Sequence, residues 1–148
     1  MEHAEDSQVS YREKSAWLAI LARLLAFGPY FVWVSLNATQ ELSLWQQLQA
    51  YGLTVAVQLA LLGGGYLWLR WQMPLDAKAA KDERDKAIEA NALKGAYYLL
   101  MTGMILVGCL MPFSQGGWPQ FQAAVFFIVL SELWHYSQMV LSYRRQAL

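Results

Sequence analysis

Basic residues are missing from two stretches of this chain, about residues 37 to 50 and about residues 112 to 120. Charge of either sign is missing from Leu42 to Leu69 and from Gly95 to Ser131. Charge-free runs of that length exceed what a soluble strand or core helix needs. Cysteine occurs once, at Cys109, so an intrachain disulfide is excluded and a thiol metal site lacks a second ligand. We expect Cys109 to be a small packing residue. Of the two histidines, His3 lies in the polar N-terminal tail and only His135 lies in an apolar stretch, which argues against a bis-histidine haem. The pair Glu132-x-x-His135 occurs once, whereas a di-iron carboxylate bundle needs two such motifs. The sequence therefore calls for no cofactor. No internal repeat is visible, and a duplicated transporter architecture gains no support.

What the chain has in abundance is apolar length, with 57% hydrophobic and 14% aromatic residues against 15% charged. A helix rising about 1.5 Å per residue needs roughly 20 residues to cross the hydrocarbon core of a bilayer. Four segments qualify, from about Ala16 to Leu36, Tyr51 to Trp71, Ala92 to Met111 and Phe121 to Leu141. Unpaired peptide groups are too unfavourable in hydrocarbon for anything but helices or closed barrels, and four spans cannot close a barrel. The expected fold is an all-α, integral membrane four-helix bundle.

The eleven Lys and Arg residues all lie at, or within about two turns of, one side of these spans. Basic residues stay cytoplasmic when short loops are sorted across a membrane. The pattern predicts both termini inside, residues 1–14 as a cytoplasmic tail and residues 72–91 as a cytoplasmic loop. Trp17, Trp68, Trp71 and Tyr143 mark the inner interface and Trp33, Trp45 and Trp118 the outer one. The tail begins with the acidic Glu2, Glu5 and Asp6 and leads into an apolar run too long for a cleavable signal, so the first span is expected to be retained. Outer loops are short, Glu41 is their one charge, and Pro112, Gly116, Gly117 and Pro119 break helix in the second. Anything recognised in bulk must lie in the membrane or on the cytoplasmic face.

Inside the spans stand residues that hydrocarbon should exclude: Arg23, Gln58, Glu132, His135 and Gln138. Ionisable groups at depth carry a penalty of roughly 2.5 to 3.5 kcal/mol on insertion scales, so they face the bundle interior and find partners. Arg23 lies roughly 10 Å along its helix from Ala16, and Glu132 roughly 13 Å from Leu141. The depths match, so Arg23 should meet Glu132 if the first and fourth spans are neighbours, with His135 one turn away as second partner. Two readings stand open: a structural clasp that decides which helices pack, or a polar site for a ligand or proton.

Two backbone features accompany this cluster. Gly28-Pro29 should kink the first span, because Pro29 cannot donate to Leu25. Gly63-Gly64-Gly65 offers a flat surface for another helix, within the bundle or in a homo-oligomer. Its membrane context excludes a phosphate-cradling loop.

Ahead of the third span runs Lys81-Asp82-Glu83-Arg84-Asp85-Lys86-Ala87-Ile88-Glu89, with no helix breaker before Ala92. The third helix is expected to begin near Ala77 and to project about two to four turns into the cytoplasm. On a helix Asp82, Asp85 and Glu89 fall within about 60° of one another and form an acidic stripe. Lys86, four residues after Asp82, compensates it in part, and Arg12, Lys14, Arg144 and Arg145 lie within reach on the termini. The stripe either locks the cytoplasmic ends together or docks a basic cytoplasmic protein. Paired carboxylates without a nucleophile, a histidine or an enclosed polar pocket do not define a reaction.

The run Asp82-Glu83-Arg84-Asp85-x-x-Ile88, followed by Ala92 and Tyr97-Tyr98, resembles small prokaryotic four-span membrane proteins of unknown function that carry such a motif before their third span. The likeness covers about residues 76 to 110. It implies no activity or cofactor. It does imply an accessory or regulatory role in a bacterial cytoplasmic (inner) membrane, some such proteins pairing with a small DNA-binding regulator, with no direct nucleic-acid binding by this chain. The sequence thus leads to a non-enzymatic interaction module in the lipid bilayer with a charged cytoplasmic face. The alternative is a small oligomeric transporter or channel-like protein using Arg23, Glu132, His135 and Gln58. A lipid- or quinone-directed enzyme is the third class.

Overall fold

The computed structural model describes residues 10–78, 80–114 and 117–147. Glu2, His3, Glu5, Asp6 and Gly116 lie outside the described residues. Helix α1 spans Tyr11–Leu36, α2 Leu44–Gln72, the short α3 Pro74–Lys78, α4 Glu83–Ile105 and α5 Trp118–Ala147. No strand occurs among the described residues. The four long helices carry apolar windows long enough to cross a membrane, and the chain is an all-α, multi-pass four-helix membrane protein.

The helices outrun their apolar spans because polar caps start them early. Ser10 accepts from the Glu13 amide and begins α1. A reciprocal capping box of Ser43 and Gln46 begins α2, several residues before Tyr51. Asp82 and Asp85 form a second capping box, so α4 starts at Glu83 and not near Ala77. The expected helix start near Ala77 is occupied instead by α3, a separate turn followed by non-helical chain at Ala80 and Lys81. From Glu83 to Ala92 the helix still extends about two and a half turns beyond its apolar segment.

Helix α1 runs without a break through Pro29. At its far end α4 widens into a π segment, Leu106–Leu110, and then a 3-10 turn, Met111–Phe113. Pro112 has no amide to donate, and its ring would press on the carbonyl one turn back, so regular α-helix cannot continue there. The Met111 amide reaches back to the Leu106 carbonyl, and Gln120 Nε2 donates to the Val107 carbonyl at 2.9 Å. Cys109 sits in this π segment with its side exposed, so it is a surface thiol and not the expected packing residue.

The packing order is α2, α1, α5, α4, each helix against the next, and α2 is not packed on α4. The bundle is therefore a row left open along one seam. Buried positions follow this order: 33% of the α1 window is buried against 11% for α2, which makes α1 central and α2 peripheral. Small residues let the central pair approach, with Ala16, Ala19, Ala22 and Ala26 all buried on α1. Toward one end Ala26, Phe27 and Tyr30 pack on Val125 and Val129; toward the other Ala16 and Ile20 pack on Val140. The first of these clusters grades into an aromatic layer, Trp118 stacked on Phe121 at 4.8 Å, Phe121 edge-on to Tyr51 at 5.1 Å, and Phe31 edge-on to Phe126 at 5.5 Å.

The α4–α5 seam depends on glycine. A Cβ at Gly103 would fall on the Phe127 ring, and one at Gly95 would lie 2.6 Å from Trp134 Nε1. In the Gly63-Gly64-Gly65 run, Gly65 packs under Leu18 of α1 while Gly63 and Gly64 have open space around them. Gly103→Val should destabilise the protein by about 1 to 3 kcal/mol through overpacking, whereas Gly63→Ala should leave stability at or above wild type. Denaturation in detergent micelles, followed by circular dichroism, reads both.

Candidate functional site

Arg23 projects from the middle of α1 into the α1–α5 contact and is 6% exposed. Its Nε donates to Glu132 Oε2 on α5, its Nη1 reaches the Ala19 carbonyl at 3.3 Å, and its guanidinium lies over the Tyr136 ring, 4.9 Å from the centroid. Tyr66 of α2 lies near the same group and near Tyr136. A desolvated guanidinium is thus matched by one carboxylate, one carbonyl and one phenol ring, which is the satisfaction a buried charge requires. The second partner is Tyr136, not His135. The His135 ring stands edge-on to Tyr136 at 5.0 Å, with its Nδ1 shielded and without a hydrogen-bond partner.

The two members of the ion pair differ in access. The Arg23 side chain is 7% exposed and the Glu132 side chain 42%. Glu132 Oε1 carries no hydrogen bond among the described residues, and the carboxylate stands between two cavities. One, of about 640 Å³, lies between α4 and α5 and is lined by Leu93, Tyr97, Leu100, Glu132 and His135, among others. The other, of about 200 Å³, lies between α2 and α5 against Phe27, Val55, Gln58, Val129 and Glu132. Gln58 Oε1 is shielded there with no partner. Val125, Ile128, Val129, Glu132, His135 and Tyr136 follow the spacing of one helix face, so both cavities run along a single stripe of α5. The structure therefore brings Arg23, Glu132 and Gln58 to one place, leaves His135 at the edge of the larger cavity, and leaves Gln138 half-buried and without a hydrogen bond.

Tyr136 and Tyr66 escaped the sequence reading because a tyrosine in an apolar span carries no charge signal, although Tyr136 lies one turn beyond Glu132. Gln122 escaped as well. It is buried on α5 opposite Tyr30, and neither its amide atoms nor the Tyr30 hydroxyl meets hydrogen-bond geometry.

At the charged end of the bundle the acidic stripe is divided among separate tasks. Asp85 binds Arg12 of α1 at 2.8 Å and accepts from the Tyr143 hydroxyl of α5 at 3.0 Å, so one carboxylate ties three helices. Arg144 donates to Glu13 at 3.2 Å and lies 5.4 Å from the centre of the Trp17 ring, and Lys14 Nζ meets the Met73 sulfur at 3.7 Å. Asp82 is spent in the cap, and Glu89 pairs with Lys81. Lys86 pairs with Glu83 at 2.8 Å and not with Asp82. Asp82, Glu83 and Arg84 face outward, the Glu83 side chain being 87% exposed. Among the described residues no three His, Cys, Asp or Glu side chains converge as a metal site would need.

No family model matches the chain, and neither does any curated protein or solved structure. Chemistry is therefore read from the residues alone, and the ion pair is its centre. Arg23→Leu should destabilise by about 3 to 5 kcal/mol, because it strands Glu132, while Arg23→Leu with Glu132→Leu should recover most of that loss. A double-mutant cycle on unfolding in micelles measures the coupling. Tyr143→Phe should cost about 1 kcal/mol in the same assay, the net contribution of one hydrogen bond.

Proposed function

We propose that this chain is a non-enzymatic accessory or regulatory protein of a bacterial inner (cytoplasmic) membrane, with both termini inside, that docks a cytoplasmic protein at its charged end. The observation that carries this reading is how the charges there are divided. Arg12, Glu13, Asp85, Tyr143 and Arg144 hold α1, α4 and α5 together, and Asp82, whose side chain caps α4, fixes the start of a first turn on which Glu83 and Arg84 are exposed. A braced, outward-facing charged turn is pre-organised, which lowers the ordering entropy that binding must overcome. The likeness of the Asp82-Glu83-Arg84-Asp85 run to small prokaryotic four-span proteins supports the same role. Orientation rests on the one-sided Lys and Arg distribution.

The second reading, a small oligomeric transporter using Arg23, Glu132, His135 and Gln58, draws on the two cavities that share Glu132. Against it stands the aromatic layer beyond Gln58, where Phe31, Tyr51, Trp118, Phe121 and Phe126 fill the space between helices with ring contacts.

A photo-crosslinking amino acid at position 83 should give a discrete adduct with a cytoplasmic protein in living cells. Asp82→Lys should abolish it, and the same probe at position 44 should give none. Identical patterns with and without Asp82→Lys would remove the docking reading. For orientation, Glu41→Cys in a Cys109→Ser background should react with a membrane-impermeant maleimide added outside intact cells; labelling only after lysis would reverse the topology.

A further inference from the structure

The larger cavity has a property that the docking role does not use. It opens between α4 and α5, within the apolar stretches of both helices. From Leu141 the carboxylate of Glu132 lies roughly 13 Å along α5, close to the middle of a hydrocarbon core about 30 Å thick. Its Oε2 is taken by Arg23, its Oε1 has no hydrogen bond among the described residues, and Glu132 lines this space. Lipid tails have no hydrogen to give, and an acceptor left bare in hydrocarbon is strongly unfavourable. A molecule that lives in the membrane and carries a hydroxyl meets that requirement.

The walls narrow the class further. Leu93, Ala96 and Leu100 supply an apolar bed, and Tyr97, Tyr136 and the His135 imidazole supply flat faces at the level of the carboxylate. Flat faces favour an aromatic ring in offset or edge-on contact. His135 Nδ1 is shielded, so an entering molecule meets the imidazole at Nε2. The Arg23–Glu132 pair is internally neutral, and Lys94, exposed on α4, is the one further charged side chain in the lining, the group that an anionic headgroup would meet instead. At about 640 Å³ the space lies within the range of small-molecule sites.

We propose that the α4–α5 cavity binds a membrane-soluble phenol or hydroquinone carrying an alkyl tail, its ring hydroxyl donating to Glu132 Oε1. The ring lies between Tyr97 and Tyr136, its edge reaches His135 Nε2, and the tail leaves along Leu93 and Leu100 into the bilayer. Arg23 acts as a positioning residue: it holds the carboxylate in place at the cavity wall without touching the ligand. This binding is independent of whether a protein docks at Asp82 and Glu83.

The full-length protein in phosphatidylcholine nanodiscs, titrated with 2-decylhydroquinone and with its dimethyl ether, tests the proposal. Intrinsic tryptophan quenching is the readout, and empty nanodiscs carrying a tryptophan peptide give the partitioning background. The hydroquinone should quench saturably, and the ether about tenfold more weakly, since it lacks the donor to a charged acceptor. Leu93→Trp, which fills the mouth from an exposed position, should remove the saturable phase. His135→Phe should weaken it severalfold with an unchanged unfolding midpoint. The paired change Arg23→Leu with Glu132→Leu keeps the helix contact apolar, and it should bind hydroquinone and ether alike. Equal binding of the two probes by wild type, retained discrimination in the paired variant, or a signal matching the background would each overturn the proposal. So would displacement of the hydroquinone by phosphatidylglycerol alone, which would make a lipid the occupant.

Discussion

A guanidinium cannot stay unpaired in hydrocarbon, and the structure is arranged around that constraint. Arg23 sits on α1, and the carboxylate that answers it sits on α5, so these two helices must be neighbours at that depth. The small side chains of α1 allow the approach, and the two apolar clusters on either side of the ion pair hold it. With the α1–α5 contact settled, α2 packs mainly on α1 and α4 on α5. The open seam between α2 and α4 and the exposed position of Glu132 are consequences of that order, not separate features.

The same pair shows how much was legible in the sequence. Span number and class follow from charge-free length, since bilayer thickness imposes it from outside the protein. The Arg23–Glu132 contact was legible because each is the isolated charge of its span and their depths agree. Its surroundings were not: Tyr136 and Tyr66 look like ordinary apolar-span aromatics until the helices are assembled. The start of α4 differs from the expected Ala77 because the absence of a helix breaker says only where a helix can run, whereas Asp82 and Asp85 cap it at Glu83. At an N-terminus those side chains turn back onto free backbone amides. The cavities had no trace in sequence, being the space that helix order leaves unfilled.

The two ends of the bundle are held by different physics. At the charged end a few directional contacts on Asp85 and Glu13 join α1, α4 and α5, and salt and solvent can reach them. At the other end interlocked rings and the buried Phe27, Tyr30 and Val125 hold α1 and α5, with no ionic contact among the described residues. Ionic conditions should therefore act on one end of the molecule and leave the other unaffected.

The partners of the central ion pair are 109 residues apart in the chain. At a synthesis rate of about 5 to 20 residues per second, α1 is in place roughly 5 to 20 s before Glu132 leaves the ribosome. For that interval Arg23 is a charge without its counter-ion, held by snorkelling or by whatever the insertion machinery provides. The α1–α2 hairpin is thus an obligatory waiting species in biogenesis, and the arrival of α5 is the event that commits it.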